Sequence, residues 1–175
     1  MQIIQTKFEG LYFYKRKNYS DKRGYFRELF KSKEIKKKFC FDYISCSQKN
    51  VLRGLHIQTT NPQDKLITVF SGKIFDVVVD LRKNSKTFGK YFSVILSCRE
   101  NKSLLIPAGF AHGFCALEDN SLLHYKCTQY RNNASETGII WNDKKLNIKW
   151  PIKRPILSDK DKLNYTFDDF VNLSK

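Results

Sequence analysis

At 175 residues the chain has the size of one domain, given about 100–200 residues per domain, which excludes two large independent units. Hydrophobic residues at 41%, charged residues at 28% and aromatics at 14% exclude a mainly disordered chain. The 32 basic and 17 acidic side chains leave a formal charge of +15, which suits an anionic partner: nucleic acid, a membrane surface or a phosphorylated small molecule.

The first residues, Met1 to Glu9, lack the basic start and apolar stretch of a signal peptide, and no apolar run approaches the roughly 20 residues a membrane span needs. A cytoplasmic protein is expected. Further on, Ser32 is placed to cap a short helical turn through Glu34, Ile35 and Phe39. Short β-favouring runs then follow at 65–70, 74–81, 91–96, 104–106 and 121–128. Ser71-Gly72, Lys83-Asn84-Ser85, Arg99-Glu100-Asn101, Pro107-Ala108-Gly109 and Glu118-Asp119-Asn120 punctuate them as turns. This spacing predicts one unit, an antiparallel sandwich or barrel, with a second short helix after Ser158 and Asp159. Within 74–81, alternation puts Phe75, Val77, Val79 and Leu81 on one face, suited to a sandwich core, and Asp76, Val78 and Asp80 on the other.

Cys40, Cys46, Cys98, Cys115 and Cys127 are odd in number, scattered and without a C-x-x-C spacing, so reduced thiols are predicted rather than disulfides or a zinc knuckle. Only three histidines exist. His124 reads as a core imidazole. His56 and His112 have glycines nearby that let a ligand approach the backbone, and Arg53 precedes His56 as an anion clamp. A His-x-His metal pair is absent, because Ile57 and Gln58 follow His56, so no metal is expected. Neither a phosphate-cradling glycine loop nor a dinucleotide fingerprint nor a G-x-S-x-G elbow occurs.

Five collinear segments carry a resemblance: Asp21-Lys22-Arg23-Gly24-Tyr25-Phe26-Arg27-Glu28, Val51-Leu52-Arg53-Gly54-Leu55-His56, Phe75-Asp76-Val77-Val78-Val79-Asp80-Leu81-Arg82, Ile106-Pro107-Ala108-Gly109-Phe110-Ala111-His112-Gly113-Phe114 and Ile140-Trp141-Asn142-Asp143. Over nearly the whole chain, to about Asp161, the sequence resembles the dTDP-4-dehydrorhamnose 3,5-epimerase family. The resemblance implies an all-β fold, a double-stranded β-helix (cupin jelly roll), and a homodimer with strand exchange. It also implies catalysis without metal or other cofactor, on a nucleotide-diphosphate 4-keto sugar, in surface polysaccharide or capsule biosynthesis.

Carried over residue by residue, the resemblance makes His56 the general base, held by Asp161. Removing a proton beside a ketone suits a neutral imidazole whose tautomer a carboxylate fixes. Lys65 matches the lysine that faces the ketone, where an ammonium stabilises an enolate oxygen. Asp76 matches an aspartate that keeps this lysine charged, and Tyr125 the phenol that returns a proton from the opposite face. Arg23, Glu28, Arg53, His112, Tyr130 and Lys160 match substrate contacts, guanidinium forks being suited to pyrophosphate oxygens.

One stretch departs from the pattern. Where the family reads Gln-x-Asn-x-Ser-x-Ser, this chain has Phe41-Asp42-Tyr43-Ile44-Ser45-Cys46-Ser47, so two polar positions that face the substrate are aromatic. Glu28 is equally suited to accept hydrogen bonds from guanine, so a GDP-linked 4-keto-heptose stands beside a dTDP-linked 6-deoxyhexose as substrate. Inversion at C3 alone or at C3 and C5 also stays open. A 3,4-ketoisomerase on the same scaffold is the nearest alternative. A nucleic-acid or anionic-glycan binding module is the remote one, since no nucleic-acid motif occurs and Asp76 and Asp80 share a strand face.

Overall fold

The computed structural model describes residues 1–173. In chain order the strands are β1 (Gln2–Gln5), β2 (Tyr12–Lys15), β3 (Asn18–Asp21), β4 (Gly24–Arg27), β5 (Phe41–Ser47), β6 (Leu52–Gln58) and β7 (Lys65–Ser71). They continue as β8 (Lys73–Asp80), β9 (Tyr91–Ser97), β10 (Lys102–Ile106), β11 (Phe110–Ala116), β12 (Ser121–Cys127) and β13 (Glu136–Gly138), before helices α1 (Asp159–Lys162) and α2 (Phe167–Leu173). Two antiparallel sheets, ordered β1-β2-β10-β7-β12-β5 and β13-β6-β11-β8-β9, form the jelly roll, and β3–β4 is a separate hairpin. The five strands expected between residues 65 and 128 are all present, within two residues at each end.

Between the sheets lies a core that includes Phe8, Phe13, Ile67, Val69, Ile74, Val78, Leu104, Phe110, Phe114 and Leu123. Each such side chain taken fully out of water contributes roughly 1.5–3 kcal/mol of transfer free energy. A second cluster covers the outer face of the five-stranded sheet, where Leu55, Ile57, Val77, Val79 and Ala111 meet Ile139, Leu146, Phe167 and Phe170 of the C-terminal segment.

This second layer reverses one expectation. The Phe75–Leu81 face of β8 packs under the C-terminal segment, while Ile74, Asp76 and Val78 point the other way, with Ile74 and Val78 in the intersheet core. Both faces of β8 are covered, so periodicity alone could not say which was inner. Asp80 is tied down by Arg82 Nη2 at 2.7 Å and by the hydroxyls of Ser85 and Thr87, each at 2.6 Å. Although burial opposes it, these bonds bring its carboxyl down to about 2.

The short turn expected from Ser32 is present over residues 32–34 and does not extend into a helix. Glu34 N and Ile35 N both donate to Lys31 O, and Lys37 N donates to Ile35 O, with no continuing helical ladder. Ile35 is buried beside Tyr14, Leu66 and Leu105, with Phe30 and Phe39 packed against them. Tertiary burial on this sheet surface replaces a helical stripe. The expected C-terminal helix is α1, with Ser158 as its cap: the Asp161 amide donates to Ser158 Oγ at 3.1 Å. All five cysteines are free. Among the described residues no helix is long and apolar enough to cross a membrane.

Candidate active site

The inner face of β6 is set by alternation: Leu55 and Ile57 belong to the outer cluster, so His56 between them faces the space between the sheets. On β11 the inner residues are Phe110, His112 and Phe114, and His112 pairs directly with His56 across the strands. This pairing needs two glycines. Gly54 has φ +116°, and a Cβ there would lie 2.7 Å from His112 O and 2.6 Å from Gly113 Cα. A Cβ on Gly113 would lie 2.7 Å from Arg53 O.

The C-terminal segment brings the partner of His56. Leu52 N donates to Ile156 O and Ile156 N to Asn50 O, lashing residue 156 beside the start of β6 and carrying α1 to the rim. There Asp161 Oδ1 lies 2.5 Å from His56 Nε2. Burial works against ionisation of Asp161, but the bonds from His56 and Ser158 outweigh it and leave the carboxyl below its ordinary range. An ionised carboxylate has no proton to give, so His56 Nε2–H donates and Nδ1 remains to accept a proton.

His56 lines a cavity of about 340 Å³ together with Arg53, Lys65, His112, Tyr125, Tyr43, Phe41, Arg131 and Glu136. Lys65, at the start of β7, and Tyr125, on β12, come from the six-stranded sheet, whereas His56 and His112 come from the five-stranded one. Burial lowers the Lys65 pKa, while the carboxylates of Glu136 and Asp76 oppose that effect. Burial raises the Tyr125 phenol well above its ordinary value, with Tyr43 and Asp76 adding to the effect, so it stays protonated at neutral pH. Arg53 is steadied by Nε donating to Ser47 Oγ at 3.0 Å.

Asp76 makes its hydrogen bond with His112, Oδ2 lying 2.7 Å from Nε2, and its influence on Lys65 is through space. Lys160 reaches the rim, where Nζ donates to Glu136 Oε2 at 2.9 Å. Tyr130 is 68% exposed, with its ring 5.9 Å from that of Phe41. Arg23 and Glu28 do not line this cavity. Arg23 is on the β3–β4 hairpin, paired with Asp21, and Glu28 is paired with Lys31. His124 is not a core imidazole: it lies on the outer face of β12, stacked on Phe70 and bonded to Asp42 Oδ2 at 3.1 Å.

Sequence reasoning missed Arg131 and Glu136. Glu136 accepts from Arg131 Nη2 at 2.7 Å as well as from Lys160, and these bonds prevail over burial to bring its carboxyl down to about 2. Neither residue belongs to a recognisable motif. Only the pairing of Glu136 with Gln58 and of Gly138 with His56, across β13 and β6, brings them to the cavity.

The family model described as dTDP-4-dehydrorhamnose 3,5-epimerase matches residues 5–169. A Shigella flexneri protein named dTDP-4-dehydrorhamnose 3,5-epimerase is 44% identical over 92% of this chain and 93% of its own length. A Legionella pneumophila dTDP-6-deoxy-D-glucose-3,5-epimerase, solved in complex with dTDP-4-keto-L-rhamnose, superposes with a TM-score of 0.91 at 41% identity, covering 95% of this chain and 93% of that one. The Mycobacterium tuberculosis epimerase gives 0.94 at 33% identity, covering 99% and 92%. Fold and matches together define a cupin-type isomerase that acts on a nucleotide sugar. More particularly, the chain belongs to the dTDP-4-dehydrorhamnose 3,5-epimerase family.

Proposed function

We propose that this chain epimerises a dTDP-linked 4-keto-6-deoxyhexose at C3 and C5 through an enolate, without metal or other cofactor. His56 Nδ1 takes the proton from the carbon beside the ketone, and Asp161 stabilises the imidazolium that forms. The Lys65 ammonium stabilises the enolate oxygen in a site largely withdrawn from water. Tyr125 Oη gives a proton to the other face of the carbon and regains one from solvent. One observation carries this reading: the His56–Asp161 pair and the Tyr125 phenol come from opposite sheets onto one cavity, so a sugar ring between them has a base on one side and an acid on the other.

Arg53 and His112 line the same cavity and are assigned to the pyrophosphate, with Lys160 and Tyr130 at its rim. Arg23 and Glu28 are assigned to substrate held by a second copy of the chain. Their hairpin exposes Tyr25 and Phe26 at 60% and 65%, which supports a homodimer in which it crosses to the partner. Light scattering after gel filtration tests that arrangement, and a monomer at micromolar concentration would refute it.

The deciding experiment incubates the enzyme in heavy water with a panel of dTDP- and GDP-linked 4-keto sugars and follows C3 and C5 by NMR. Deuterium at both carbons of the dTDP-hexose, with the inverted product, is the expected result. Exchange with GDP-heptoses alone would change the substrate assignment, and a moved carbonyl would indicate a 3,4-ketoisomerase. No exchange with any sugar would refute the reading.

A further inference from the structure

Tyr43 replaces a polar position of the family pattern, and its surroundings give the aromatic ring a specific task. On β5 it stands directly across from Tyr125 of β12. The two rings lie 4.5 Å apart and within 7° of parallel. On another side the His112 ring meets Tyr125 at 6.0 Å and 64°, edge to face, and His112 is itself held by Asp76. Tyr125, buried at the wall of the cavity, thus has one flat stack and one edge contact against its ring. Behind Tyr43 the Phe41 ring follows at 5.5 Å, bracing it from the strand end.

We propose that Tyr43 is a positioning residue for Tyr125: stacking holds the phenol at the angle from which it protonates the enolate, and so sets how many proton abstractions end in inversion. This rests on the mechanism proposed above. The enolate has two fates. If the His56 imidazolium returns a proton, or a deuteron acquired from solvent, to the original face, the result is exchange without inversion. If the Tyr125 O–H bond breaks and a C–H bond forms on the other face, the result is the epimer, and the phenolate is then reprotonated by solvent. Only the second fate depends on the Tyr125 angle. The Tyr43 hydroxyl takes no part; the ring does.

The test measures, in heavy water with the dTDP-linked 4-keto-6-deoxyhexose, the ratio of inverted product to deuterium exchanged into recovered substrate. Because both come from the same active molecules, a partly unfolded preparation leaves the ratio unchanged. Tyr43→Leu should lower it about tenfold to a hundredfold, the cost of misplacing a reacting group by roughly an ångström. Tyr43→Phe, which keeps the stack, should retain the wild-type ratio, and adding Tyr43→Leu to Tyr125→Phe should change nothing further. An unchanged ratio in Tyr43→Leu, or an equal loss in Tyr43→Phe, would overturn the proposal. Wild-type enzyme that exchanges but does not use Tyr125 for inversion would overturn it too, whereas wild type without any exchange would refute the proposed function itself.

Discussion

His56 Nε2 and Asp161 Oδ1 stand 2.5 Å apart although 105 residues separate them in the chain. The carboxylate is held on a single turn of helix by Ser158, and that turn is held to β6 by two backbone bonds through Ile156. Asp161→Asn should therefore lower solvent exchange about 10²- to 10⁴-fold, the usual range for a general base that loses its competence. His56→Asn should abolish it. Circular dichroism of both variants should match wild type, and exchange by His56→Asn at the wild-type rate would show the base to be another group.

Lys65 should control the alkaline side of the pH profile. Burial favours its neutral form, so the ammonium is lost at a lower pH than an ordinary lysine loses its own, and turnover falls there. Lys65→Met should reduce turnover about 10²- to 10³-fold, comparable to removing one donor to an oxyanion. Exchange rates measured from pH 6 to 10.5 check both points; an alkaline limb that persists in Lys65→Met would assign it elsewhere.

Tyr125→Phe separates the two halves of the reaction. Abstraction by His56 continues, so deuterium still enters the substrate, while the inverted product falls about a hundredfold or more with the loss of the acid. Because the phenol is buried and its pKa lies well above 10.0, no titration of Tyr125 should be visible below pH 10 in wild-type enzyme. Product NMR and ultraviolet difference titration read the two effects.

Stability should decline in acid through Asp80 and Glu136. Both folded carboxyls are depressed to about 2, from ordinary values of 3.8 and 4.5. Their contribution is therefore essentially complete above about pH 5.5 and is lost as pH falls toward 2, on the order of 2 kcal/mol for Asp80 and 3 kcal/mol for Glu136. Urea unfolding at pH 6 and pH 3 should show this loss in wild type and a smaller one in Asp80→Asn, which has no carboxylate to protonate.

Gly54→Ala tests the close approach of β6 and β11. The new Cβ meets His112 O and Gly113 Cα inside normal contact at a positive φ, so a loss of about 2–4 kcal/mol is expected, measured by urea unfolding. The surviving folded fraction should also exchange slowly, since the same approach sets His56 beside His112.

Much of this protein was legible in its sequence because the signals are local. Alternation and turn residues marked β7 to β10 and β12, the Arg53-Gly54-Leu55-His56 segment marked the imidazole and its anion clamp, and Ser158 marked its helix. Period-two patterning cannot tell an inner face from an outer one when both are covered, and on β8 it is the C-terminal segment that makes the Phe75, Val77, Val79 and Leu81 face the outer one. A lone carboxylate such as Glu136 has no signature at all, and its place beside His56 exists only through the pairing of β13 with β6. The same holds for the Tyr43–Tyr125 stack, which needs the register between two strands some 80 residues apart. The sequence by itself determined the residue types and the strands that carry them. Which of those residues meet was decided by tertiary structure, because contact across facing sheets depends on register and closure, and neither is a property of any local stretch of chain.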